Sequence, residues 1–179
     1  MKIKNAIIAN LIFFTFLACS NENSEISQTS EFQATYDNPF TLKLSDASQI
    51  YMQKSDSGFD ISRNDKAIVF VFFTTWCPPC LVQMNYLSQF RLNYQDDFQI
   101  VGVLMEDKTK EQIDEFIAKN NIKFKIAYGE NNFYFANAVG YIDAMPYILI
   151  LNAEGKIIQY YSGLIPPEML ESDIKRALL

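Results

Sequence analysis

Two cysteines three residues apart, Cys77-Pro78-Pro79-Cys80, are the part of this sequence best suited to chemistry. A thiolate is a strong nucleophile and a soft metal ligand, and two thiols at this spacing can close a disulfide across a helix's first turn. With Cys77 at the N-cap, Pro78 and Pro79 become the first two helical residues, where an N–H would have no intrahelical partner anyway. The helix dipole and free N–H groups at that end favour negative charge on the N-cap sulfur. Cys19 is the one other cysteine and the 179 residues contain no histidine, so a zinc site lacks its further ligands. The missing histidine also removes Ser-His-Asp and Cys-His catalysis and imidazole proton shuttling. A purely structural bridge around so small a loop would stabilise little, because the entropic gain shrinks with loop length. Reversible dithiol–disulfide exchange is the favoured reading. Its rival is a dithiol that handles copper, which the lack of histidine and of a methionine-rich motif disfavours.

Two further groups bear on that chemistry. Ala144-Met145-Pro146 directly precedes an apolar run. Pro146 is either an ordinary trans strand starter or a cis proline that presents backbone to a substrate strand beside the cysteines. Glu106 and Asp107 follow the second buried strand, at the sheet edge where active groups gather, and are candidates for a proton relay there. The plainer reading of both is a solvated loop.

The elements that must position these residues alternate. Phe40 to Leu44 has period two and predicts a half-exposed first strand. Ala67 to Phe73 is continuously apolar, as in a strand covered on both faces. A helix follows from Pro78 to Tyr94, with Met84, Leu87, Phe90, Arg91 and Tyr94 inward. Phe98 to Met105 is a second buried strand, and Thr109-x-x-Gln112 is a capping box opening a helix that turns Ile113, Phe116 and Ile117 inward. Phe124 to Ala127 reads as a short strand and 131–139 as a short helix. Tyr147 to Leu151 and Lys156 to Tyr161 form a hairpin about Asn152-Ala153-Glu154-Gly155. Pro166-Pro167 starts a last helix that buries Leu170, Ile174, Ala177 and Leu178. The sum is a three-layer α/β domain.

Hydrophobic residues make up 49% of the chain and charged ones 20%, enough for a core and against global disorder. A net charge of -6 argues against nucleic acid or anionic lipid as partner. Lys2 and Lys4 precede Ala6–Ala18, apolar apart from Asn10 and Thr15 and shorter than the roughly 20 residues of a spanning helix. It ends in Phe16-Leu17-Ala18-Cys19, which resembles the lipobox of bacterial lipoproteins, although Phe16 and Leu17 depart from its usual residues. That resemblance implies removal of residues 1–18 and lipid attachment at Cys19; a plain cleaved signal or an uncleaved anchor is the alternative. Residues 19–35 then read as a polar tether and 36–179 as the folded domain.

Trp76-Cys77-Pro78-Pro79-Cys80, with Met145-Pro146 and then Tyr147-Ile148-Leu149-Ile150-Leu151-Asn152 and Gly155, resembles the thioredoxin superfamily. More closely the combination resembles the membrane-tethered TlpA/ResA-like thiol-disulfide reductases, over residues 36–179. The resemblance implies a thioredoxin-like sandwich: a central mixed sheet flanked by helices, with an extra N-terminal strand region. It implies a nucleophilic Cys77, a resolving Cys80, a cis Pro146, and active-site support from Trp76, Pro78, Pro79 and Met145. No cofactor beyond the Cys77–Cys80 disulfide is implied. The implied partners are disulfide-containing exported proteins, cytochrome c apoproteins among them, and a membrane thiol reductant of the DsbD/CcdA type. The implied location is the periplasmic or outer face of a membrane. The sequence departs from its relatives where Val71, Gln83 and Asn85 replace a buried aspartate, a glutamate and a proline. A thiol oxidase or isomerase is the alternative within the same chemistry.

Overall fold

The computed structural model describes residues 37–94 and 98–179. The expected signal 1–18, the lipid attachment at Cys19, the tether 19–35 and the domain start at residue 36 lie outside them. The strands are β1 Phe40–Leu44, β2 Gln49–Ser55, β3 Gly58–Ile61, β4 Ala67–Phe73, β5 Phe98–Leu104, β6 Lys125–Tyr128, β7 Tyr147–Leu151 and β8 Ile157–Ser162. The helices are α1 Pro78–Asn93, α2 Lys110–Lys119, α3 Asn131–Val139 and α4 Pro167–Ala177. The strands make one sheet in the order β3-β2-β1-β6-β5-β4-β7-β8. Strands β4, β5 and β6 are parallel, and β1 and β7 border them antiparallel, so the sheet is mixed as expected.

All seven residues of β4 are buried, and the pleat deals them to two cores. Val69, Val71 and Phe73 pack with Met84 and Leu87 of α1, Ile113 of α2, and Leu170 and Ile174 of α4. Ile68, Phe70 and Phe72 pack with Phe135 of α3 and with Phe40, Leu42, Met52 and Phe59 of the first three strands. Phe135 is the hub of this second core, with ring centroids 5.7 Å from Phe40, 5.1 Å from Phe59, 4.9 Å from Phe70 and 5.1 Å from Phe72. Each such side chain, once buried, contributes about 1.5–3 kcal/mol.

The two ends of the sheet also meet. Phe59 N–H donates to the Gly155 carbonyl at 2.9 Å, and Ile157 N–H donates to the Ser57 carbonyl at 2.9 Å. A Cβ on Gly58 would lie 2.1 Å from the Gly155 oxygen, and one on Gly155 would lie 1.9 Å from the Phe59 oxygen. Gly155 also holds φ at +81°, so this seam requires glycine twice over. Asn64 reinforces it by donating through Nδ2 to the Lys66 and Ala153 carbonyls.

Sequence and structure part at several places, and α1 and β5 each end one residue earlier than the pattern predicts. The hairpin of β2 and β3 was not legible, because along Gln49–Ser55 Met52 alone is buried. Leu178 is exposed, because α4 ends at Ala177 and leaves Leu178 as the cap. The two short strands β6 and β8 each begin one residue later than the pattern predicts.

Candidate active site

The site is built where the parallel strands β4 and β5 end. β4 stops at Phe73, and the chain turns through Thr74, Thr75 and Trp76 into α1. Cys77 is the N-cap in extended conformation, and its sulfur accepts the Cys80 N–H at 3.2 Å. Pro78 and Pro79 fill the first two helical positions, so the nearest backbone donor left to that sulfur is Cys80. Cys77 and Cys80 form a disulfide, with S–S 2.04 Å and Cα–Cα 5.2 Å. Trp76 beside it is 76% exposed.

Cys77 is itself largely covered: its residue is 6% accessible, against 0% for Cys80. What covers it is the loop before β7, whose Met145 carbonyl lies 3.8 Å from Cys77 Sγ. The Met145–Pro146 peptide is cis. This loop is held from β8: the Pro146 carbonyl accepts the Gly163 N–H at 2.8 Å, and the Asp143 carboxylate accepts the Ser162 hydroxyl. That hydroxyl also holds the Asp143 carboxyl below its ordinary range.

Of the two candidate carboxylates, the fold brings one to the cysteine loop. Glu106 accepts the Thr75 N–H, and its two oxygens lie 3.0 and 3.1 Å from the Thr75 hydroxyl. Lys108 Nζ stands 3.4 Å from the same carboxylate. Asp107 faces solvent. Gln83 is fully buried and accepts the Ile165 N–H at 3.0 Å, Val71 lies in the core, and Asn85 is exposed, so α1 places no carboxylate beneath Cys80.

Two supporting residues escaped sequence reasoning. Thr75 matters through its contacts with Glu106, which no spacing signals. Asn132 is buried at the start of α3 and donates to the Leu104 and Ala127 carbonyls, each at 2.8 Å, tying β5 to β6 just before Glu106. Its place at the head of the aromatic run Phe133-Tyr134-Phe135 was the available hint. A cleft of about 240 Å³ opens beside Thr75 and Lys108, floored by Phe73, Leu104, Ile113 and Phe116. Among the described residues no helix is long and apolar enough to cross a membrane, and no group of three or more acidic or cysteine side chains is placed to hold a metal.

The disulfide at the N-cap of the helix after a buried parallel strand is the geometry against which known proteins can be compared. The Redoxin family model matches residues 53–178. The chain belongs to the Redoxin family. This redoxin is 26% identical over 111 residues to the thiol-disulfide oxidoreductase ResA of Bacillus thuringiensis subsp. konkukian, a match covering 62% of this chain and 63% of that protein. The chain thus spans less than two thirds of that relative's length. It is 24% identical over 127 residues to the sporulation thiol-disulfide oxidoreductase A of Bacillus subtilis, covering 68% and 76% of the two chains. Among solved structures, StoA of Bacillus subtilis superposes with a TM-score of 0.60 at 21% identity, over 76% of this chain and 96% of that one. A thiol:disulfide interchange protein of the thioredoxin family from Chlorobium tepidum superposes with a TM-score of 0.62 at 19% identity, over 79% and 94%. The fold of this redoxin is thioredoxin-like, and its relatives agree with the TlpA/ResA-like resemblance of the motif.

Proposed function

We propose that this redoxin is a thiol-disulfide oxidoreductase that reduces disulfides of exported proteins, apocytochromes c among them. The observation that carries the reading is the Cys77–Cys80 pair at the N-cap of α1, with the Met145 carbonyl lying against the Cys77 sulfur. In the reduced protein the Cys77 thiolate attacks one sulfur of a substrate disulfide. A Cys77–substrate bond forms, the substrate bond breaks, and the leaving sulfur takes a proton. The Cys80 thiol loses its proton and attacks the Cys77 sulfur, which restores the Cys77–Cys80 bond and frees the second substrate thiolate. Two electrons pass from the pair to the substrate, and the pair is the whole redox group. Solvent, or Glu106 and Asp107 through water, receives the Cys80 proton. A membrane dithiol of the DsbD/CcdA type then reduces the disulfide.

Trp76, Pro78, Pro79, Met145 and Pro146 form the face on which the substrate strand lies. Attachment is through an acylated Cys19 and the polar tether, on the periplasmic or outer side of a membrane; the lipobox-like segment supports this. The direction follows from donors: with Pro78 and Pro79 lacking N–H, one backbone N–H holds the Cys77 sulfur, so the thiolate and with it the reduced form gain little. A potential near thioredoxin's, about −270 mV, is expected rather than DsbA's, about −120 mV. Equilibration with glutathione measures it, and an oxidising value would make the protein an oxidase instead. Trapping mixed disulfides with Cys80→Ala in cells identifies the substrates; a variant that captures none overturns the reading.

A further inference from the structure

The loop that carries Trp76 and Cys77 is fastened by one side chain from the neighbouring strand. β4 and β5 run in parallel register, Phe73 opposite Leu104, so Glu106 arrives beside Thr75, each two residues past its strand. The Met105 N–H donates to the Phe73 carbonyl at 2.9 Å and continues that register to the site. The Glu106 side chain is 15% exposed, with its oxygens on the Thr75 N–H and hydroxyl and Lys108 at 3.4 Å. Thr75 stands two residues from Cys77, a reach of at most about 7 Å of chain. The Glu106 carboxylate is largely shielded from solvent, so salt screens its charge less than it would a surface charge.

Few other charges face the sulfur. The first turn of α1 has no acidic residue. Asp143, on the loop before β7, is tied to Ser162, and Asp107 is exposed. The sulfur itself accepts a single backbone N–H.

We propose that Glu106 is a positioning residue: it clamps the loop at Thr75, and its negative charge, opposed by Lys108, sets how strongly reduced Cys77 holds its thiolate. A like charge disfavours the thiolate, so the carboxylate keeps the dithiol less stable and the couple more reducing. Lys108 limits that bias. The inference rests on the redox reading of the cysteine pair.

The test uses Glu106→Gln, which keeps an oxygen acceptor for Thr75 while deleting the charge, and Lys108→Gln, which deletes the opposing charge. The thiolate absorbance of reduced protein is followed against pH, and the disulfide is equilibrated with glutathione. Glu106→Gln is expected to lower the Cys77 pKa and favour the dithiol by about three- to tenfold, roughly 15–30 mV. Lys108→Gln is expected to move both quantities the other way. Opposite signs separate a charge effect from general loosening of the loop. Titrations that match the wild type, or shifts of the same sign, overturn the inference. A wild-type protein without a reversible dithiol–disulfide couple overturns the functional reading instead.

Discussion

The two ends of β4 and β7 are closed by different means. At one end the loops around the disulfide are held mostly by side chains, Glu106 on Thr75, Asp143 on Ser162 and Asn132 on two carbonyls, beside the Gly163–Pro146 and Met105–Phe73 backbone bonds. At the other, the β3 strand meets the β7–β8 turn backbone to backbone, with two glycines and no room for a methyl group. A side-chain tie can lengthen by a few tenths of an ångström and re-form as a partner docks. A backbone seam with no spare volume either fits or fails. The redox end is therefore free to adjust, while the far end and the core beneath it hold the fold.

That division is open to attack. Cys77→Ala should have the largest effect on function, abolishing disulfide reduction, yet loss of so small a loop closure should cost about 2 kcal/mol at most. An insulin-reduction assay beside a urea melt would show both, and a collapse of stability would erase the distinction. Phe135→Ala should reverse the pattern, costing about 3–5 kcal/mol while the redox potential stays at its wild-type value. Gly155→Ala should cost about 2–4 kcal/mol, from the positive φ and the contact with the Phe59 carbonyl, again with the potential unmoved. A potential that shifts in either variant would mean that the two ends are coupled.

The smallest expected effect lies in the turn between β1 and β2. Burial works against ionisation of Asp46, but hydrogen bonds from Lys125 and Ser48 outweigh it and hold the carboxyl at about 2, below its ordinary 3.8. Lys125 Nζ is 2.7 Å away and both side chains are largely exposed, so Asp46→Asn should cost under about 1 kcal/mol at neutral pH. A pKa lowered by folding stabilises above the ordinary value of 3.8 and ceases to do so as pH falls through about 2. Urea midpoints of variant and wild type should therefore differ at pH 7 and converge in strong acid.

The legible parts of the fold are those whose signal is local. β4 is bounded by its apolar run, α2 is opened by a capping box that forms in both directions, and the last hairpin is located, to within one residue, by Asn152 to Gly155. β2 carries no such signal, because one buried methionine and two partner strands hold it in place. At the site, the cysteine spacing located the disulfide, and Pro146 was singled out by its place before β7. Glu106 and Asp107 were indistinguishable as adjacent carboxylates, since the register of β4 on β5 and a hydroxyl far along the chain separate them. The burial of Cys77 was hidden for the same reason, being supplied by Met145 from another loop.

The contact between Asn64 and Ala153 spans 89 residues. Contacts so distant in sequence are slow to form, because a long loop must close before any of them contributes. As the chain lengthens from its N-terminus, β1, β2 and β3 exist before the turn they must meet. Until β7 and β8 are made, Phe59 and its neighbours have no finished sheet to cover, and the edge of β3 stands unpaired. The order of synthesis thus makes the sealing of the sheet a late event, and the interval before it is when this protein is most open to aggregation or to capture by a chaperone.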